Sequence, residues 1–214
     1  MNLIRSSFEV IEVMAAEFSL ELIEKAGRTC YKSEDKITKG SAVEFVKRLN
    51  NLGHESVLEH SAMTVKFICD RGVSHELVRH RLCAFSQEST RYCNYKGGVT
   101  FIIPPWLEVV PGEYKEQRNC ITFAGMAWMK AMLEAEENYC HLINMEHWTP
   151  QQARSVLPNS IKTEIVMTAN FREWRHIFKL RCSSAAHPQM RELMIPLLER
   201  CKEIIPVIFD DITY

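Results

Sequence analysis

Residues 79–92, RHRLCAFSQESTRY, hold three arginines, a histidine, four hydroxyl groups and a Gln-Glu pair, with little apolar filler. A guanidinium is permanently charged and planar, and its donors are spaced to grip two oxygens of a phosphate or two edges of a heterocycle. Neither G-x-G-x-x-G nor G-x-x-x-x-G-K-[ST] occurs, so recognition of a phosphate would fall to side chains instead of a glycine-rich loop. Arg154, Arg172 and Arg181 also sit beside hydroxyls or at the ends of expected elements. If 74–82 is helical, Arg79, His80 and Arg81 splay over about 200° of its circumference and serve at least two ligand surfaces. Taken singly, each arginine would equally suit a surface ion pair of little energetic weight.

Other chemistries fit less well. GHESVLEH, residues 53–60, gathers His54, Glu55, Glu59 and His60. A zinc helix needs its histidines one turn apart, whereas these two lie about 120° out of register, so no metal is expected. Eight cysteines (Cys30, Cys69, Cys83, Cys93, Cys120, Cys140, Cys182, Cys201) are scattered without a C-x-x-C pair and read as free thiols. Cys83, Cys93 and Cys182 have arginines nearby that would favour a thiolate, but no Cys-His pairing accompanies them.

These residues must be held by a sizeable fold. The chain has 214 residues, 46% of them hydrophobic, and fits one domain. With a net charge of -1, nothing resembles the basic stripe that would neutralise a nucleic-acid backbone over several contacts, and any anionic ligand is expected to be small and locally held. No apolar run approaches the ~20 residues of a membrane helix, so a soluble cytoplasmic protein is expected. The spacing predicts strands over 8–13, 63–69, 99–105 and 161–169. It predicts helices over 20–30, from a Ser41/Glu44 capping box to near Gly53, and from about Tyr114 to His147 through Ile121, Gly125, Trp128, Met132, Tyr139 and Ile143. Thr149, Pro150 and Gln152 open a short helix, and two closing helices follow, the last with a kink expected at Pro196. Without a regular strand-helix-strand rhythm, the fold class is α+β: a mixed sheet flanked by helices, with one long central helix, in a single domain spanning 1–214.

Residues 79–92 resemble the R-H-R-x7-S signature of the flavin-dependent thymidylate synthases, with Arg79, His80, Arg81, seven intervening residues and Ser89, then Arg91-Tyr92. RTCYKS at 28–33, GHESVLEH, ARSVLP at 153–158, NFR at 170–172 and LRCSSAAHPQMRE at 180–192 resemble further family segments in the same order. Six ordered matches cover nearly the whole chain.

The resemblance implies a homotetramer with active sites shared between subunits. It would methylate dUMP to dTMP with methylenetetrahydrofolate as carbon donor, FAD as hydride carrier and NADPH as reductant. It assigns Cys30, His54, Ser56, Arg79, His80, Arg81, Gln87, Asn170, Arg172 and His176 to the flavin. The nucleotide would be bound by Glu76, Leu77, Val78, Arg79, Gln87, Glu88, Ser89, Thr90, Arg91, Arg154 and Arg181. Arg181 would polarise the uracil ring, and Ser89 would orient the nucleotide, since QESTR offers no adjacent base to activate a serine. On a helix over 171–182, Arg172 and Arg181 point to roughly opposite sides, which suits a helix lying between two ligand surfaces. The alternatives are a non-catalytic module that grips a nucleotide or an RNA phosphate, and a generic flavoprotein reductase.

Overall fold

A computed structural model describes residues 1–116 and 122–214. In chain order its elements are β1 (Asn2–Ile4), β2 (Ser7–Val13), α1 (Ala16–Thr29), α2 (Ser41–Asn51), β3 (Ala62–Asp70), α3 (Arg71–Leu77), β4 (Ala84–Gln87), β5 (Thr100–Ile102) and β6 (Gly112–Glu113). After them come α4 (Phe123–Asn144), α5 (Pro150–Ala153), β7 (Lys162–Asn170), α6 (Phe171–Arg181), α7 (Pro188–Ile204) and α8 (Pro206–Phe209). One sheet has the order β5-β1-β6 and the other β2-β3-β7-β4, so the fold is α+β with two sheets flanked by helices.

The chain divides into two compact units: Met1–Ser7, Phe67–Arg79 and Ser86–Ile165 form the first, and Phe8–Lys66, His80–Phe85 and Val166–Tyr214 the second. In the first unit, β1 pairs in parallel with β5, Leu3 opposite Phe101, and antiparallel with β6. Leu3, Phe101, Ile103, Met129, Met132, Tyr139 and Ile161 bury together, so the methionines of α4 are core, as their helical spacing suggests. Arg5 donates to the carbonyls of Pro104, Leu107 and Val109 at 3.0, 3.0 and 3.3 Å and fixes the loop after β5.

In the second unit α1 packs on α2, and a Cβ at Gly27 would come within 2.7 Å of the Phe45 ring, so only glycine permits this approach. The core around α6 is aromatic. Trp174 stacks on Phe178 with centroids 5.5 Å apart, Phe209 meets both Phe171 and Phe178 edge-on, and the Trp174 indole N–H donates to the Met63 carbonyl at 3.0 Å.

Several expectations are corrected. The helix expected over 114–147 spans Phe123–Asn144; Tyr114 follows β6 outside it, while Ile121, like Cys120, lies outside the described residues. Gly40, in the left-handed region at φ 82°, is the N-cap of α2, so Ser41 does not form the expected capping box. Its hydroxyl instead donates to the buried Glu24 carboxylate at 2.8 Å, a group whose burial makes a donor more valuable there than at a helix end. α3 stops at Leu77, so Arg79, His80 and Arg81 are not helical. β5 is shorter than the strand expected over 99–105.

Candidate active site

The nucleotide-assigned residues, except Arg181, lie in the first unit. Asp70 caps α3 by accepting from Val73 N–H at 2.7 Å, and Glu76, Leu77 and Val78 form its end. Leu77 is buried, so only its backbone can meet a ligand, whereas Arg79 is exposed. Gln87, ending β4, donates its amide nitrogen to the hydroxyls of Ser74 (2.9 Å) and Thr163 (3.2 Å). The Glu88 carboxylate accepts from Tyr95 at 2.6 Å and from Lys162 at 3.0 Å. Burial and that carboxylate both push the Tyr95 phenol up; burial would lower Lys162, but its bonds to Glu164 and Glu88 outweigh it and raise the ammonium. Ser89 shapes the turn that follows: its carbonyl accepts from Tyr92 and Cys93 N–H at 3.1 and 2.9 Å, and its hydroxyl from Arg91 N–H at 3.3 Å.

Arg154, in the helical turn Arg154–Val156 after α5, donates to the Thr90 hydroxyl at 3.2 Å. Both line a recess of about 240 Å³ with Arg71, His75, Ser155 and Asn159. Arg71 and His75, absent from the sequence-based set, stand one helical turn apart on α3, and that i, i+4 spacing is the signal that could have found them.

In the second unit, Cys30 at the end of α1, His54 and Ser56 around the turn Glu55–His60, and Arg172 at the start of α6 line one recess of about 430 Å³ with Gly27, Tyr31, Gly53 and Glu55. Tyr31 and His54 also line a larger recess of about 940 Å³ with Arg28, Lys36, Arg48 and Phe45. Arg175, 1% exposed, anchors this region: it donates to Glu55 at 2.9 Å, to both oxygens of Asp211 at 2.6 and 2.7 Å, and to the Ile208 carbonyl. Arg172 pairs with Glu59, and Asn170 caps α6 by accepting from Glu173 N–H at 2.9 Å.

Arg181, the last residue of α6, donates its Nε–H to His80 Nε2 at 3.0 Å, and His176 stands edge-on to His80 with centroids 6.2 Å apart. Arg81 is exposed. Burial, then the positive charge of Arg181 and the neighbouring His176, push the His80 imidazole down from 6.5 to about 4, so it is neutral at physiological pH. Between about pH 6.5 and about pH 4 the unfolded chain therefore takes up a proton that folded His80 refuses; stability is complete above this window and falls as pH drops through it. Urea unfolding at stepwise pH between about 7 and 5 should show the wild-type midpoint dropping more steeply than that of His80→Gln, whose carboxamide can still accept from Arg181. Equal slopes would mean that His80 does not titrate as described.

Glu173, His80 and His176 offer ligand atoms within 4.8 Å of one another, the reach of a metal site. The guanidinium already on His80 Nε2 opposes a divalent ion there. Cys83 and Cys182 are poor nucleophiles: burial, with Glu173 nearby, pushes Cys83 up to about 12, and burial does the same to Cys182. All cysteines among the described residues are free. No helix of the described residues is long and apolar enough to cross a membrane.

Fold and site together define an α+β protein that presents arginines already held by polar partners, Arg154 by Thr90, Arg172 by Glu59 and Arg181 by His80. The family profile described as "Thymidylate synthase complementing protein" matches residues 9–207. The chain is 33% identical over 203 residues to the flavin-dependent thymidylate synthase of Corynebacterium diphtheriae, covering 92% of this chain and 80% of that one. It is 34% identical over 195 residues to that of Geobacter sulfurreducens, covering 87% and 78%. This chain belongs to the flavin-dependent thymidylate synthases, a family of methyl-transferring enzymes. The fold is shared with the crystal structure of thymidylate synthase X from Helicobacter pylori with FAD and dUMP (TM-score 0.74, 23% identity, 96% of this chain and 98% of that one). It is also shared with the UMP/dUMP methylase PolB from Streptomyces cacaoi bound with 5-Br dUMP (TM-score 0.77, 21% identity, 98% and 96%).

Proposed function

We propose that residues 1–214 act as one catalytic domain that methylates dUMP to dTMP, taking the carbon from methylenetetrahydrofolate with FAD as hydride carrier and NADPH as reductant. The enzyme works in the cytoplasm as a homotetramer in which neighbouring subunits complete each other's ligand surfaces; neither nucleic acid nor a membrane takes part. The observation that carries this reading is that Cys30, His54, Ser56 and Arg172, far apart in sequence and all implied flavin residues, line one recess.

The recess suits FAD. His54, Ser56 and Arg172 offer donors to an oxygen-rich cofactor, and Glu55, the acid in its wall, is held by Arg175 and Lys179 at 2.9 and 3.3 Å. Asn170, His80, Arg81 and His176 extend this set in the second unit, and the resemblance adds Arg79 and Gln87. Bound FAD supplies the hydride that converts a transferred methylene into a methyl group.

The dUMP phosphate and sugar fall to Gln87, Glu88, Ser89, Thr90, Arg91 and Arg154 with the segment Glu76 to Arg79, and Arg154 and Thr90 already share a hydrogen bond. Ser89 orients the nucleotide; among the described residues no imidazole or carboxylate bonds its hydroxyl, so nothing there would make it a nucleophile. Carbon 5 of uracil becomes nucleophilic when negative charge at N3 and O4 is stabilised, and Arg181 is the fixed cation for that task. One well-placed donor of this kind contributes ~3 to 4 kcal/mol. Cys83 and Cys182, with thiols at about 12, are ill suited to attack carbon 6 instead.

Tritium release from [5-³H]dUMP, measured with and without FAD, tests flavin, nucleotide and reaction at once. The expected result is release that requires FAD, from a protein that turns yellow with it. A colourless protein that binds dUMP but never flavin would replace this reading with a binding module. Oxidation of NADPH indifferent to dUMP would replace it with a flavin reductase.

A further inference from the structure

Glu173 belongs to neither implied ligand set, yet it is a carboxylate only 8% exposed. Its Oε1 stands 3.6 Å from Nδ1 of His80, itself 5% exposed. On the far side of the imidazole, Arg181 Nε lies 3.0 Å from Nε2. An arginine Nε carries one hydrogen and has no lone pair to offer, so His80 Nε2 must be the bare nitrogen. In a neutral imidazole the proton then sits on Nδ1, facing the carboxylate. Carboxylate and guanidinium thus favour the same tautomer from opposite sides, since the first attracts a hydrogen on Nδ1 and the second repels one on Nε2.

Both charged ends belong to α6. Glu173 is placed in its first turn by the Asn170 cap, Arg181 closes its last, and His80 reaches in from a different part of the chain. We propose that Glu173 is a positioning residue that fixes the tautomer of His80 and, through it, the aim of the Arg181 guanidinium. Without the carboxylate, the Nε2–H tautomer becomes accessible; its hydrogen opposes that of Arg181 Nε, and the guanidinium swings. The inference rests on the reading of Arg181 as the cation that polarises uracil, and it gives a buried acid that faces an imidazole a task.

Two measurements on the full-length enzyme test it. The first is long-range ¹H–¹⁵N spectra of histidine-labelled protein, with His80→Gln to assign the signal. They should show His80 protonated at Nδ1 in the wild type, and mixed or protonated at Nε2 in Glu173→Ala. The second is steady-state kinetics. Glu173→Ala should lose roughly tenfold in kcat, the scale on which loss of an orienting partner is felt by the group it orients, with the KM for dUMP nearly unchanged. Glu173→Gln, whose carboxamide oxygen still presents partial negative charge to Nδ1–H, should keep the wild-type tautomer and most of the turnover. Should Glu173→Ala fail to fold, the spectrum and turnover of Glu173→Gln decide. A wild-type His80 protonated at Nε2, an unchanged tautomer in Glu173→Ala, or a Glu173→Gln as impaired as the alanine variant would overturn the proposal. The spectra need no substrate, so they stand or fall separately from the tritium-release result.

Discussion

Arg181→Ala turns over dUMP about 100- to 1,000-fold more slowly than the wild type while keeping most of its FAD, the loss expected when one preorganised donor to a developing anion is removed. The size follows from where the charge sits. Arg181 is half-buried at the end of α6 with its Nε on His80, so on the proposed reading it would meet developing charge without reorganising. Its favourable position at a helix C-terminus is worth only about 0.3 to 1 kcal/mol to folding, so stability should change little. Flavin retention follows because the recess of Cys30, His54, Ser56 and Arg172 does not include Arg181. Stopped turnover and flavin absorbance, measured on the same preparation, separate the two effects. Turnover within about threefold of the wild type, or activity falling in step with flavin content, would remove the proposed electron pull.

The second large effect concerns stability. The double variant Glu55→Ala, Asp211→Ala should lose about 3 kcal/mol, because it strips both carboxylates from a guanidinium that is 1% exposed and leaves it, among the described residues, the Ile208 carbonyl. The low end of the usual range for breaking a buried pair applies, since the carboxylate side chains are 23% and 46% exposed and water can replace part of what they supply. Adding Arg175→Met to the double variant should recover roughly half of the loss, because the cost lies in the stranded charge more than in the missing attraction. Urea midpoints of the three proteins decide the matter, and a double variant as stable as the wild type would refute it.

The same network has an acid limb. Burial would raise Glu55, but its bonds to Arg175 and Lys179 prevail and hold it below its ordinary 4.5; Asp211 is held below 3.8 chiefly by its bond to Arg175. Their stabilisation is therefore complete above those ordinary values and is lost as pH falls through the lower, folded ones.

Much of this was legible in the sequence. The alternation over 63–69 put Met63, Val65, Phe67 and Cys69 on the buried face, and the Thr149-Pro150-Gln152 signal opened α5, where Gln152 accepts from Thr149 N–H at 2.9 Å. The α+β class followed from the order of such elements. What stayed hidden was set by distant partners. β1 and β6, with 3 and 2 residues, are too short to show a period and exist by pairing with each other. β4 lies inside the polar motif, where alternation of apolar residues is lost. Ser41 looked like a cap because the sequence cannot show that Glu24 is buried beside it. Arg175 looked like any other basic residue of α6; only the tail that supplies Asp211 reveals it as an anchor. Cys30, His54, Ser56 and Arg172 could be named from motif order, but their common recess is a product of how α1, the 55–60 turn and α6 meet.

One detail of α6 bears on what its entrance will accept. Asn170 commits its carbonyl oxygen to the first turn of the helix, while its NH₂ carries two hydrogens and no lone pair to accept with. An NH₂ can only donate, so on the proposed reading it would offer hydrogens to carbonyl or phosphoryl oxygens of a ligand and nothing to an amino group. Aspartate would close the helix equally well yet present lone pairs where hydrogens now stand, reversing the preference without disturbing the fold.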